Sequence, residues 1–389
     1  MQKLDPNKPD RTKLIALSSP TISPAMIWRS LEGASLPYPF NNPSVEYFCL
    51  GRNAIYAAAQ CLGLADREVL FPSYFEGIEL DALLQAGVRY RFYRVREHMR
   101  IDLGDVASEI RPDTRAIYLI HYQGFPGPVE ELAEICRKRE ILLIEDCALA
   151  LLSRVADKPL GSFGDAAIFS IRKTLPAEYA GALILRGGQL SGAAKRRSPS
   201  LFTTLGAISS SVMRNLEIRG KTRSKSVLAC LRSIGKTTTR ALVGEQGLIG
   251  GDDFMLSQVS VGMSRLMHFV IAGQDFSMII ARRRRNFLHL LSRLGKLVQP
   301  IHDTLPAGVC PISYTFEHEK KYLILKKLLA RGLDANNWEA VHPVVPMGEF
   351  LEAQRMRSTI LQLPCHQDLT PEAVDWVADQ VCDVMSDLN

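Results

Sequence analysis

Between residues 51 and 150 the apolar positions switch repeatedly between two periods. NAIYAAAQCLGL keeps its small apolar residues on a helical repeat, EVLFPSY is a short apolar run, IELDALLQAGV returns to helical spacing, and RYRFYRV alternates as a strand does. TRAIYLIHYQG and ILLIEDCALA are continuous apolar runs, the pattern of strands covered on both faces, and VEELAEICRKREI between them is a helix with charges outward. DAAIFSI and GALILR continue the strand series. Strand and helix alternating at this spacing predict an α/β fold, a mostly parallel sheet with helices on both faces. In such sheets functional groups gather just past the carboxyl ends of strands. Asp146 closes one predicted strand and Lys173 follows another, so the topology allows them to face one cleft.

The rhythm breaks at residues 188–250, which are rich in Ser, Thr, Gly and basic residues. Within them Leu201, Leu205, Ile208, Val212 and Leu216 share one helical face. A long helix is expected from Phe254 to Leu294, interrupted near Gly273 and carrying Arg282 to Arg285. From about residue 308 the pattern is α+β. KKYLILKKLLARGL is a helix with a glycine stop, and TPEAVDWVADQVCDVM is a terminal helix capped by Thr370 with Pro371 in its first turn. The expected division is an arm over 1–44, a large domain over 45–260 holding the insert at about 188–250, and a linking helix with a small C-terminal α+β domain over 261–389.

Composition bounds the function. The 389 residues are 47% hydrophobic and 23% charged, values of a globular chain long enough to bury a sizeable core. The opening MQKLDPNKPDRTKLIALSSP has no apolar stretch of the signal-peptide kind, and no run of eighteen apolar residues predicts a membrane-spanning helix. The eight cysteines are scattered without CxxC or His/Cys metal spacing, so free thiols in a reducing cytoplasm are expected and no metal. Charge is uneven. From Arg186 to Arg240 twelve Lys and Arg face one acid, Glu217, a net +11 within a chain of net +6, so the remainder carries −5. That segment reads as a solvated loop or a contact for an anionic membrane face, and its near absence of aromatics, Phe202 alone, argues against nucleic acid.

Single motifs leave their chemistry open. Lys173, in the turn of FSIRKTLPAEYAGALIL, is a solvated surface lysine or a covalent catalyst. The IEDCA strand end delivers Glu145 and Asp146 as a cap or surface pair, or as an acid facing a ring nitrogen or a metal. In LGRNAIYAAAQ a turn at Gly51, Arg52 and Asn53 opens a helix whose unpaired N–H groups can bind phosphate, or which is ordinarily capped. Tyr74 and Phe75 in PSYFEGIE can stack on a planar ring or pack in the core. The two GKT triplets fail as phosphate loops because Asn215 and Cys230 stand where glycine is needed, and GSFG is not GxGxxG.

The order of these motifs resembles the DegT/DnrJ/EryC1/StrS sugar aminotransferases, of the fold-type I pyridoxal-phosphate group. The likeness is close over about residues 45–185 and loose over 250–389. LGRNAI, PSYFE followed by Ala86-Gly87, HYQG (121–124), IEDCAL, GSFGDAAIFSI (161–171), KTLPAEYAG and the closing LPCHQDLTPEAVDWV carry it. The resemblance implies pyridoxal 5'-phosphate as cofactor, Lys173 as its Schiff-base lysine and Asp146 as the partner of its ring nitrogen. It implies phosphate contacts from Ser170 and the Gly51, Arg52 and Asn53 turn, and ring contacts from Tyr74 and Phe75. It further implies a cytoplasmic homodimer moving an amino group from glutamate or glutamine to a nucleotide-linked keto-sugar in glycan biosynthesis. Arg172, next to Lys173, is expected to help depress the lysine's pKa. Where the family has Gln, an aromatic, Asn and Arg, this chain has Leu149, Glu76, Asp253 and Met255. A degenerate member with a binding or membrane-associated role, through 186–240, is the alternative. A pyridoxal-phosphate dehydratase on the same scaffold is a further one, which Lys173 opposes.

Overall fold

The computed structural model describes residues 20–31, 35–187, 196–219, 253–335, 344–346 and 348–388. Through the first half come α1 (Pro24–Arg29), β1 (Val45–Phe48), α2 (Gly51–Cys61), β2 (Glu68–Pro72), α3 (Ile78–Gln85), β3 (Arg89–Tyr93) and α4 (Leu103–Glu109). They are followed by β4 (Thr114–Ile120), α5 (Val129–Arg139), β5 (Leu142–Asp146), β6 (Ala166–Ser170) and β7 (Gly181–Leu185). The seven strands form one sheet in the order β1-β7-β6-β5-β4-β2-β3. β3, β2, β4, β5 and β6 run parallel, while β7 is antiparallel to β6 and β1 to β7. The expected mostly parallel sheet is therefore present.

The apolar runs explain this layering. β6 is buried throughout, and β4 exposes only Arg115. In α5, Val129, Leu132 and Cys136 are buried while acids fill the first turn and basic residues the last, which suits the helix dipole. Burying such strands and helix stripes is the main favourable term, at about 25 cal/mol per Å² of apolar surface.

The second half holds α6 (Leu201–Arg219), α7 (Arg265–Ala272), α8 (Phe276–Leu294), β8 (Gln299–Pro300), β9 (Ser313–Glu317), α9 (Lys321–Ala330), α10 (Leu351–Thr359), β10 (Ile360–Pro364) and α11 (Pro371–Ser386). β8, β9 and β10 make an antiparallel sheet with its own core around Leu290, Phe316, Leu361 and Val377. Thr370 caps α11, its hydroxyl accepting from Ala373 N. The helix expected from Phe254 instead starts at Arg265, because the Ser264 hydroxyl caps it and residues 256–258 form a separate 3₁₀ turn. The break at Gly273 is real, and Asp275 caps the helix that follows. Of the basic insert, residues 188–195 and 220–252 lie outside the described residues. The helix expected around Leu201–Leu216 forms, but Leu201, Leu205 and Leu216 are exposed. Its polar side grips the chain instead: Asn215 Nδ2 donates to Thr21 Oγ1 (2.7 Å), and Ile22 N donates to Ser211 Oγ (3.0 Å). Among the described residues no helix is long and apolar enough to cross a membrane.

The arginine run of α8 is a set of ties to carbonyl groups. Arg283 is fully buried and donates to Gln367 Oε1 (2.8 Å) and to the carbonyls of Pro311, Ile312 and Thr174 (each 3.3 Å). Arg284 donates to Pro306 O and Val309 O, whereas Arg285 is exposed and reaches only Asn286. Arg283→Met strands several buried acceptors, so urea denaturation should show a loss of about 3 kcal/mol. Arg285→Met should stay within about 0.5 kcal/mol of the parent.

Candidate active site

Two adjacent strand ends define the site. Ile168 of β6 lies beside Asp146 of β5, and Ser170 and the 3₁₀ turn Ile171–Lys173 follow two residues on. Asp146 is buried; its Oδ2 accepts from Tyr118 Oη (2.7 Å) and its Oδ1 from Ala148 N (2.9 Å). Burial lifts the Asp146 pKa above the ordinary value, against the pull of Tyr118, Ala148 N–H, Lys173 and His121. Lys173 Nζ donates to Glu76 Oε2 at 3.1 Å, and the two side chains are 21% and 45% exposed. Asp146 at the end of β5 and Lys173 in the turn after the adjacent β6 each feel the other's charge.

The expected depression of Lys173 does not occur. Burial and Arg172 do push its pKa down, but Glu76, Glu79 and Asp146 outweigh them and raise it above the usual lysine value. The same acids crowd one another. Burial, then Glu76 and Asp146, push Glu79 up to about 8, while Lys173 pulls Glu76 below the usual carboxylate range.

The second wall is the N-terminus of α2. Leu50 occupies the cap position and offers no side-chain hydrogen bond, so the first-turn N–H groups are not capped from the side. A Cβ on Gly51 would sit 3.3 Å from Ser170 Cβ, and one on Gly181 would lie 2.5 Å from the Leu50 carbonyl carbon and 2.6 Å from Gly51 N. Only glycine at 181 lets β7 run this close to the start of α2, where Gly51 lies beside Ser170. Arg52 Nη1 donates to Asp253 O (2.6 Å), and Arg52 also stabilises the charged form of Glu76.

Other expected site residues serve packing. The Asn53 side chain is buried and its Nδ2 donates to Gln258 O (2.9 Å) and Cys49 Sγ (3.1 Å), so it anchors residues 256–258 and is not aimed at a phosphate. Tyr74 and Phe75 are about 1% exposed. Phe75 packs on Phe71 (4.9 Å) and Phe92 (5.9 Å), and Tyr74 packs on Tyr122 (5.9 Å). The ring-stacking role is thus corrected to core packing. Leu149 packs against the main core, and Asp253 and Met255 are exposed.

Glu145 shows why the preceding acid is not part of the site. Its Oε1 accepts from Phe163 N (2.8 Å) and Gly164 N (2.5 Å), and its Oε2 from Gly161 N (2.8 Å) and His121 Nε2 (3.2 Å). Burial alone would raise its pKa, but His121 and these N–H groups win and hold it low. Cys147 lies close enough to make His121, Glu145 and Cys147 a conceivable metal triad. Gly127 N donates to His121 Nδ1 (3.1 Å), so Nε2 carries the proton it gives Glu145. Burial also lifts the Cys147 thiol well above its usual pKa. No lone pair is left free on His121 for an ion, and the triad is a hydrogen-bond network. The described cysteines are free. Glu79, Tyr118 and the tie from Arg283 to Thr174 O are the site features that sequence reading missed; Glu76 it registered only as a departure.

Residues 48–208 match the model of the DegT/DnrJ/EryC1/StrS aminotransferase family. A stretch of 128 residues is 36% identical to dTDP-4-dehydro-2,3,6-trideoxy-D-glucose 4-aminotransferase of Saccharopolyspora spinosa, covering 32% of this chain and 33% of that one. The chain thus spans about a third of the length of the first curated relatives it matches. The aminotransferase TlmJ of Streptoalloteichus hindustanus has the same fold, with a TM-score of 0.68, 18% identity, and coverage of 96% of this chain and 100% of that one. So does a sugar aminotransferase-like structure from Streptococcus pneumoniae in its PLP form, with a TM-score of 0.69, 14% identity, and coverage of 97% and 100%. These likenesses show the fold.

The two acids should separate by stability. Glu145→Gln sets an amide donor against backbone donors, and denaturation should show a loss of about 3 kcal/mol. Because the folded pKa of Glu145 is depressed, its contribution is present above the unfolded value and lost as pH falls through the folded one. The variant's stability should therefore change less than the parent's between about pH 5 and pH 1. Glu79 has the opposite sign. Its raised pKa gives stability below the ordinary 4.5 that is lost as pH rises through about 8, so Glu79→Gln should flatten that neutral-range decline.

Proposed function

We propose that this chain, whose residues 48–208 match the DegT/DnrJ/EryC1/StrS aminotransferase family, is a member of it and a pyridoxal-phosphate-dependent aminotransferase acting on a nucleotide-linked keto-sugar. The observation that carries the reading is the buried Asp146, last residue of β5, within charge reach of the Lys173 amine in the turn that follows the adjacent β6. The relative from Saccharopolyspora spinosa supports the substrate class by its name, and the Streptococcus pneumoniae structure supports the cofactor.

The residues suit the cofactor at both ends. Gly51, Arg52 and Ser170 would take the phosphate, at an uncapped helix N-terminus where added side-chain bulk at Gly51 would crowd the cradle. Asp146 would face the ring nitrogen, and Lys173 would hold the cofactor covalently. When bound, the cofactor supplies a carbonyl carbon that captures amines and a ring that accepts electrons. Asp146 is held in place by Tyr118 and Ala148 N–H, so its carboxylate keeps one orientation through a turnover. The Lys173 Nζ can hold or pass a proton between two carbons close to it. The amino donor is glutamate or glutamine, the working unit a cytoplasmic homodimer, and the basic stretch 186–240 suits the diphosphate of a nucleotide carrier.

A non-catalytic binding role is the second reading, and the ion pair that ties Lys173 to Glu76 is the observation in its favour. One measurement separates the two. Protein incubated with pyridoxal phosphate should turn yellow, and borohydride reduction should leave the cofactor's mass on the peptide bearing Lys173. Lys173→Ala should carry no cofactor mass on the peptide spanning that position and lose turnover by roughly 10²–10⁴-fold. Colourless wild-type protein with no mass added at Lys173 leaves the binding role.

A further inference from the structure

We infer that Glu76 is a positioning residue that holds the Lys173 amine as an ammonium ion and so decides when that amine becomes a nucleophile. The inference deepens the aminotransferase reading and rests on it. Its basis is geometric. Glu76 lies 97 positions before Lys173 in the chain, yet its Oε2 accepts from Nζ at 3.1 Å. The turn that carries it is braced. Gly77 has φ +126°, a backbone that side-chain-bearing residues rarely adopt, and its N–H donates to Glu79 Oε2 (3.0 Å).

The charges around the pair point one way. Among the described residues Lys173 is faced by Glu76, Glu79, Asp146 and Arg172, three acids and one cation. Glu76 is faced by Lys173, Arg172 and Arg52, which keep it ionised and able to accept. Two opposite charges bonded in a partly buried site favour their charged forms. An amine kept as ammonium has no lone pair to give to a carbonyl carbon. Without the Glu76 carboxylate, nothing hydrogen-bonded to Nζ in that ion pair would oppose loss of the proton. This chain therefore carries a hold on its reactive amine that replacement of one carboxylate removes.

Competitive labelling with acetic anhydride reads the hold directly. The full chain, cleared of bound carbonyl compounds with hydroxylamine and dialysed, is labelled across a pH series, and Lys173 acetylation is measured by mass spectrometry against exposed Lys296. Glu76→Gln and Glu76→Ala should move the Lys173 midpoint down by about one pH unit, which is roughly tenfold faster labelling below the midpoint. Arg172→Gln should move it up, and Lys296 should not change. Because Glu76 is nearly half exposed, these variants should keep the parent's circular dichroism. A midpoint that stays or rises when the Glu76 carboxylate is removed overturns the inference. The labelling needs no cofactor, so a shifted midpoint without pyridoxal-phosphate uptake ends the aminotransferase reading alone. An unmoved midpoint with uptake ends this inference alone.

Discussion

The carboxylate of Glu145 is the constraint on which the site depends. Four N–H donors, two on each oxygen, converge on one buried side chain and fasten the end of β5 to the loop of residues 161–164 and to His121. That loop leads directly into β6, so the same anchor sets where β6 ends and where the turn bearing Lys173 begins. Successive strand residues point to opposite faces. With Glu145 committed to the loop, Asp146 is turned to the other face, where Tyr118 and Lys173 lie. Two neighbouring acids thus have different fates: one is held low by its donors, the other has its pKa lifted by burial and feels the charge of the Lys173 amine.

Much of this was legible in the sequence, because the information was local. The period changes gave the strands, the strand ends gave the positions of Asp146 and Lys173, and Thr370 with Pro371 gave the terminal helix. Gly51 and Ser170, both expected at a phosphate, lie side by side. The failures are those of non-local information. Asn53 looked like part of a phosphate turn, but its partner is Gln258 O, 205 residues away. Tyr74 and Phe75 had the right position after a strand, and only the packing of Phe71, Phe92 and Tyr122 shows that their rings belong to the core. The start of α7 was misplaced because the chain before it turns separately at residues 256–258 and the helix begins only after its capping serine, Ser264.

The sign of the Lys173 shift is the clearest case. Sequence adjacency suggested that Arg172, the nearest charge along the chain, would help depress the lysine's pKa. A pKa depends on distance in space, and the fold delivers Glu76, Glu79 and Asp146 from three separate places to the same amine. Burial and one cation do not overcome three acids. A departure that looked like the loss of an aromatic contact is therefore better described as the gain of a charge partner.

The same logic reaches the second core. The carbonyl of Thr174, the residue after Lys173, accepts from Arg283 (3.3 Å) and from Gln367 Nε2 (2.9 Å). Arg283 also holds Pro311 O and Ile312 O at the start of β9, and Gln367 lies between β10 and α11. The turn bearing the amine is thus pinned from one side by the main sheet and from the other by the C-terminal sheet. A buried guanidinium met by carbonyl dipoles is costly to desolvate unless its donors are used together. Displacing the C-terminal sheet would strand that charge. The backbone at Lys173 is consequently fixed by packing on both sides, which leaves the side chain and its bond to Glu76 as the part of the turn free to change.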